Sequence, residues 1–149
     1  MIDVRVQAED FDGGAELAAL EGLGGGGVAS FTGIVRGGGG LSALVLEHYP
    51  AMTQLQLERI ADEAARRWSL LGIRIIHRVG ALAPGARIVF VGTASPHRTA
   101  ALESCAFLID WLKTDAPFWK KEILEDGAER WVEARQEDVA KAAGWNNEG

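Results

Sequence analysis

Two lysines seven residues apart, Lys113 and Lys120, flank the segment Thr114-Asp115-Ala116-Pro117-Phe118-Trp119. A proline there ends a helix and lets the chain reverse, which sets the two amines side by side. Close ammonium groups depress each other's pKa, and burial beside Phe118 and Trp119 pushes the same way. Such a pair offers a neutral amine for nucleophilic or general-base work, or a fixed cation for an oxyanion. Lys113 alone is also a comfortable cation at a helix C-terminus, so it is the pair that points to chemistry. A second candidate is His97-Arg98, which follows Ser95-Pro96, an N-cap with proline at the first helical position. Two cation-capable side chains in a first turn, where acidic residues are usual, suit a phosphate or carboxylate against the exposed amides. The alternative is a solvated pair that tolerates the dipole.

Other reactive types are set aside. Cys105 falls between Ala101 and Ile109 on an apolar helical face and reads as an inert core thiol. His77 shares a strand face with Ile73, Ile75 and Val79 and reads as a packed or edge histidine. His48 and Tyr49 close a strand and receive no role. The three histidines are far apart and lack the cysteine or acidic spacing of a zinc site, so no metal is expected. Gly24 to Gly27 and Gly37 to Gly40 lead into extended segments and no Gly-Lys-Ser/Thr occurs, which favours flexible connection over a phosphate cradle.

The elements that carry these residues follow from periodicity. Ile2, Val4 and Val6 alternate as a strand, and a short helix spans residues 15–21. Residues 28–36 read as a strand, with 44–49 as its return in a hairpin. Pro50 opens a helix whose face is Met52, Leu55, Ile60, Ala64, Trp68 and Leu71, ended by Gly72. Residues 73–79 and 87–93 are strands joined at Ala83-Pro84-Gly85, the second apolar on both faces and therefore central. The helix after Ser95 buries Ala101, Cys105, Ile109 and Leu112 and ends near Thr114. Residues 118–124 and 130–134 form a hairpin around Asp126-Gly127, and a weak helix covers 137–143. Strands grouped in hairpins between helices indicate one α+β domain over residues 1–149 with a largely antiparallel sheet.

The net charge of −6 over 149 residues argues against a nucleic-acid binder. It is unevenly spread: residues 1–30 carry −5, residues 31–122 carry +3, and residues 123–149 carry −4. A cationic middle lies between acidic ends. No apolar run approaches a membrane span, no signal peptide is visible, and the single cysteine makes a reducing cytoplasm the economical compartment.

Five blocks are specific in combination: Phe31-Thr32-Gly33-Ile34-Val35-Arg36, Leu46-Glu47-His48-Tyr49-Pro50-Ala51-Met52, Ile76-His77-Arg78-Val79-Gly80, Ser95-Pro96-His97-Arg98, and Leu112-Lys113-Thr114-Asp115-Ala116-Pro117-Phe118-Trp119-Lys120-Lys121-Glu122. In order and spacing they resemble the large, catalytic subunit of molybdopterin synthase from about Val28 to Arg135. The resemblance implies an α/β hammerhead fold with two principal helices, a homodimeric core within a heterotetramer, and a sulfurtransferase without a cofactor of its own. It implies a small ubiquitin-like partner whose C-terminal Gly-Gly thiocarboxylate delivers sulfur, in two transfers, to cyclic pyranopterin monophosphate. Lys113 and Lys120 match the family's catalytic lysines, and Arg36, His97 and Arg98 its substrate-binding residues. Ile34, Val35, Lys121 and Glu122 lie in matching binding segments, and Arg135 matches a basic residue near the pocket. The Gly37 to Gly40 tract, the first thirty residues and the last dozen depart from the family pattern.

His97 and Lys113 are sixteen residues apart on one expected helix, about 24 Å at helical rise. That distance leads to the expectation of a site completed across a dimer, Lys113 and Lys120 from one protomer and His97 and Arg98 from the other. Two other classes of function fit the same cations. One is a non-catalytic module for a phosphorylated small molecule or a ubiquitin-like tail; the other, a histidine-dependent phosphoesterase, lacks metal ligands or a second base beside His97.

Overall fold

The alternating Ile2, Val4 and Val6 form β1 (Ile2–Gln7), an edge strand parallel to β4 (Gly72–Arg78). The computed structural model describes residues 1–132 and 136–146. β4 pairs antiparallel with β6 (Arg87–Ser95), and β6 with β2 (Gly27–Ile34), giving one four-stranded sheet in the order β1-β4-β6-β2. The central place of β6 follows from its two apolar faces: every residue from Val89 to Ser95 is buried. Val89 and Val91 meet α2 (Pro50–Arg67) and α3 (Arg98–Thr114), while Phe90 and Ala94 meet α1 (Gly13–Glu21). Helices therefore cover both faces, and burial of Val89, Phe90 and Val91 at about 1.5–3 kcal/mol each anchors the sheet.

A second sheet has the order β5-β3-β7-β8, built from β3 (Leu41–His48), β5 (Gly80–Leu82), β7 (Phe118–Leu124) and β8 (Glu129–Val132). All its pairings are antiparallel, so β1 with β4 is the one parallel pair among the described residues. The α+β class with mainly antiparallel strands holds, with two long helices, α2 and α3, beside the short α1 and α4 (Gln136–Asn146).

Four local expectations are corrected. β2 and β3 do not form a hairpin: each belongs to a different sheet. Gly38, Gly39 and Gly40 all take positive φ, at 104°, 62° and 75°, and this left-handed path carries the chain from one sheet to the other. The tract Gly24 to Gly27 is not a loose connector. A Cβ on Gly26 would lie 2.3 Å from the Pro96 carbonyl oxygen, and Gly26 N donates to Ser95 O at 3.0 Å, so these glycines let two backbones touch beside the start of α3.

The buried stripe of α2 is Thr53, Leu57, Ala61 and Ala64, whereas Met52 and Leu55 are 45% and 48% exposed. Trp68 is the C-cap and Leu71 lies beyond the helix. Thr53 turns inward because its hydroxyl reaches the Pro117 carbonyl at 3.4 Å, a polar anchor that hydrophobic spacing does not reveal. Finally, Ser95 remains the last residue of β6, and His97 is the N-cap of α3 with no side-chain cap bond. Ser95 Oγ donates to Ser69 O at 2.8 Å and accepts from His97 N at 3.2 Å, so the serine orients the helix entry from two residues upstream.

Candidate active site

The end of α3 explains how the two lysines meet. Its backbone closes with Asp115 N donating to Trp111 O at 2.8 Å, and Phe118 N then donates to Ala116 O at 2.8 Å across Pro117. The chain reverses into β7, and Lys113 and Lys120 line one cavity of about 280 Å³ with Arg36. Phe31, Ile34, Ile88, Ile109 and Leu112 supply most of its apolar wall. Lys113 Nζ stands 6.0 Å from the Phe31 ring centroid, within reach of a cation–π contact. Three cationic side chains on an apolar wall form a place for an anionic group, with the wall lowering the local dielectric.

His77 enters the same cavity from the end of β4. It is 4% exposed, so the packed reading describes its burial; what sequence reasoning missed is that it faces the lysines. Its ring stacks on Phe118 with centroids 3.8 Å apart and planes 14° from parallel, and His48 stacks on the same Phe118 at 6.2 Å. The available signal was that His77 continues the buried Ile73 and Ile75 face to a strand end, where apolar cover stops.

Burial is the main cause that pushes the His77 pKa from 6.5 down to about 4; the charges of Lys120 and His48 add to it, and a hydrogen bond to Arg78 O opposes it. The unfolded chain takes up a proton near pH 6.5 and the folded chain only near pH 4. Stability therefore falls as pH falls through this window, by about 3 kcal/mol in full, and is unaffected by His77 above it. Urea unfolding of the wild type and of His77→Phe between pH 7 and pH 4 tests this: the variant lacks that component of the pH dependence, and equal pH slopes contradict it.

The remaining candidates fall into four groups. Ile34 lines the cavity with Arg36, but Val35 is buried against Leu46 and Leu82. Its N–H donates to Ala86 O at 2.9 Å and its carbonyl accepts from Gly85 N at 2.8 Å, so neither side chain nor backbone is offered to a ligand. Lys121 points away from Lys120 by strand alternation, 3.3 Å from Glu129 and 5.5 Å from the Trp131 ring centroid. Glu122 accepts from Arg130 Nε at 2.8 Å, and both Lys121 and Glu122 lie in the ladder between β3 and β8. Both side chains are thus engaged within the sheet, and neither lines the cavity. His97 and Arg98 are exposed at the far end of α3 and do not line the cavity. Arg135 lies outside the described residues.

Cys105 is buried and its thiol is pushed up to about 12 by desolvation, which leaves it protonated and unreactive. Among the described residues no helix is long and apolar enough to cross a membrane. Among the same residues, no three His, Cys, Asp or Glu side chains come together as a metal site.

The family model described as MoaE protein matches residues 6–115. The chain is 51% identical over 147 residues to the molybdopterin synthase catalytic subunit of Pseudomonas aeruginosa, covering 95% of this chain and 97% of that protein. A solved structure of the molybdopterin biosynthesis MoaE protein from Burkholderia ambifaria superposes with a TM-score of 0.83 at 50% identity, covering 98% and 99% of the two chains. A complex of subunits 1 and 2 of molybdopterin-converting factor from Helicobacter pylori shares the fold, with a TM-score of 0.71 at 21% identity over 91% of this chain and 90% of that one.

Proposed function

This chain belongs to the MoaE family of molybdopterin synthase catalytic subunits, and from that premise we propose that its cavity is where sulfur is transferred to cyclic pyranopterin monophosphate. The activity is enzymatic, and the observation that carries the site assignment is the meeting of Lys113, Lys120 and Arg36 in one apolar-walled cleft. The cations take the negative charge of the cyclic phosphate and of an incoming C-terminus. Sulfur arrives on the thiocarboxylate of a small ubiquitin-like subunit, which fits a chain whose sole cysteine is buried and protonated.

The sulfur bonds to a substrate carbon as a carbon–oxygen bond of that carbon breaks and its oxygen leaves with the electron pair. Water then takes the acyl group, so the acyl–sulfur bond breaks, the sulfur stays on the substrate as a thiolate and the partner leaves as a carboxylate. Lys113 and Lys120 stabilise the oxyanion of the tetrahedral acyl intermediate and move the protons that accompany each sulfur transfer. Two such transfers give the dithiolene. The homodimer forms the core of a heterotetramer in the cytoplasm, and His97 and Arg98 of one protomer complete the site that holds Lys113 and Lys120 of the other.

Incubating the protein with a thiocarboxylated small subunit and cyclic pyranopterin monophosphate, then assaying dithiolene, tests the assignment. Product is expected only with both partners present, and no product from competent partners refutes it.

A further inference from the structure

Among its described lining residues the cleft is richer in donors than in acceptors. Lys113, Lys120 and Arg36 present only N–H groups, and most of the remaining wall is apolar. A phosphorylated heterocycle is not satisfied by cations alone, because a pterin ring carries amide-like and amine N–H groups that need acceptors. Each one buried without a partner costs about 1–3 kcal/mol. Two of the described lining side chains can accept: the Thr32 hydroxyl, which is exposed, and the imidazole of His77, which is buried.

The state of that imidazole follows from its contacts. Its Nδ1 lies 2.8 Å from the carbonyl oxygen of Arg78, which can only accept, so Nδ1 carries the hydrogen and Nε2 carries the lone pair. The proximal nitrogen is thus tied to its own strand, and Nε2 is the nitrogen left to accept from a ligand in the cavity that His77 lines. The stack on Phe118 fixes the ring plane. Phe118 lies two residues before Lys120 on β7, so by strand alternation both side chains lie on the same face of that strand.

We propose that His77 is a further substrate-binding residue of the cleft, its Nε2 accepting a hydrogen bond from a ring N–H of the pterin while the cations hold the phosphate and the incoming carboxyl group. The proposal rests on the assignment of the cleft to this substrate. Burial and the nearby Lys120 keep the ring neutral at physiological pH, so Nε2 stays an acceptor where a protonated histidine would add one more donor. The geometry also makes the acceptor selective, since a ring analogue with a carbonyl in place of that N–H would meet lone pair with lone pair.

The test uses the chain labelled with 15N-histidine and assembled with the unsulfurated small subunit, with cyclic pyranopterin monophosphate as the probe. Saturation is expected to move the unprotonated Nε2 resonance of wild-type His77 upfield, as an accepted hydrogen bond does. In parallel, His77→Phe keeps the ring and the stack but removes the acceptor, and is expected to weaken substrate binding about tenfold. His77→Gln loses the stack but places an amide oxygen near Nε2, and is expected to bind within about threefold of wild type. A purely structural histidine reverses that order. Substrate binding that leaves Nε2 unmoved, or His77→Phe binding as tightly as wild type, overturns the proposal alone. Failure of the substrate to bind the wild-type assembly overturns the assignment of the cleft, and this proposal with it.

Discussion

Alanine at Lys113 or at Lys120 lowers sulfur transfer by about 10²–10³-fold, corresponding to the loss of about 3–4 kcal/mol of transition-state stabilisation. Each lysine donates into the cleft where charge develops, and the apolar wall makes that charge expensive to leave unmatched. Lys113 is exposed near the end of α3, so its removal leaves the fold intact within about 0.5 kcal/mol and the loss is chemical. Arginine restores the cation but holds its proton at any accessible pH and spreads its donors over a planar fork. Lys113→Arg and Lys120→Arg are therefore expected to stay within about tenfold of the alanine variants. Because the two amines serve one oxyanion, the double alanine variant is little worse than the poorer single one. Single-turnover dithiolene formation, with substrate affinity measured separately, gives the answer. Near wild-type rates in both arginine variants would make the cleft a binding site that merely needs positive charge.

The lysine pair was legible because everything that brings it together is local: a helix, a proline and a strand within seven residues. The burial of Cys105 and the central place of β6 were legible for a similar reason, since apolar neighbours on both sides of a residue record its surroundings. Errors arose where a distant contact decides. Nothing near residues 28–49 says that β2 pairs with β6 while β3 pairs with β7, and a hairpin is the default for neighbouring strands. The inward face of α2 is set by the reach of Thr53 to a carbonyl sixty-four residues away. The glycines at 25 and 26 look like slack until the Ser95 and Pro96 backbone is seen against them. His77 is the instructive case for the site: its strand announced burial correctly, but only the approach of β7 turns a packed histidine into a wall of the cleft.

The charge pattern has the same lesson at larger scale. The positive middle of the sequence is not a single patch: Arg36, Lys113 and Lys120 converge, Lys121 is turned to Glu129, and Arg98 sits at the opposite end of α3. Elsewhere in that stretch Arg74 pairs with Glu16 and Arg67 with Glu63. A cleft with three convergent cations in a chain of net charge −6 concentrates attraction for an anion where chemistry occurs without making the protein a general polyanion binder.

Mixing Lys113→Ala homodimers with His97→Ala homodimers, each nearly inactive, is expected to regenerate about a quarter of wild-type activity once subunits exchange freely. His97, the N-cap, and Lys113, in the last turn, stand at opposite ends of a seventeen-residue helix, so their backbones stay about 24 Å apart and one small pterin does not span them within a chain. If each site takes its lysines from one protomer and His97 with Arg98 from the other, a mixed dimer concentrates both lesions in one site and leaves the second intact. Random exchange makes about half of the dimers mixed, each with half its sites working, which gives the quarter. A site contained within one chain gives no intact combination, because every chain then carries a lesion in its own site. Exchange is verified independently by tagging the two variants and recovering the doubly tagged dimer. Activity that stays at the level of the separate variants in that purified mixed dimer rules out the shared site, whereas about half of wild-type activity in it establishes that His97 acts across the interface.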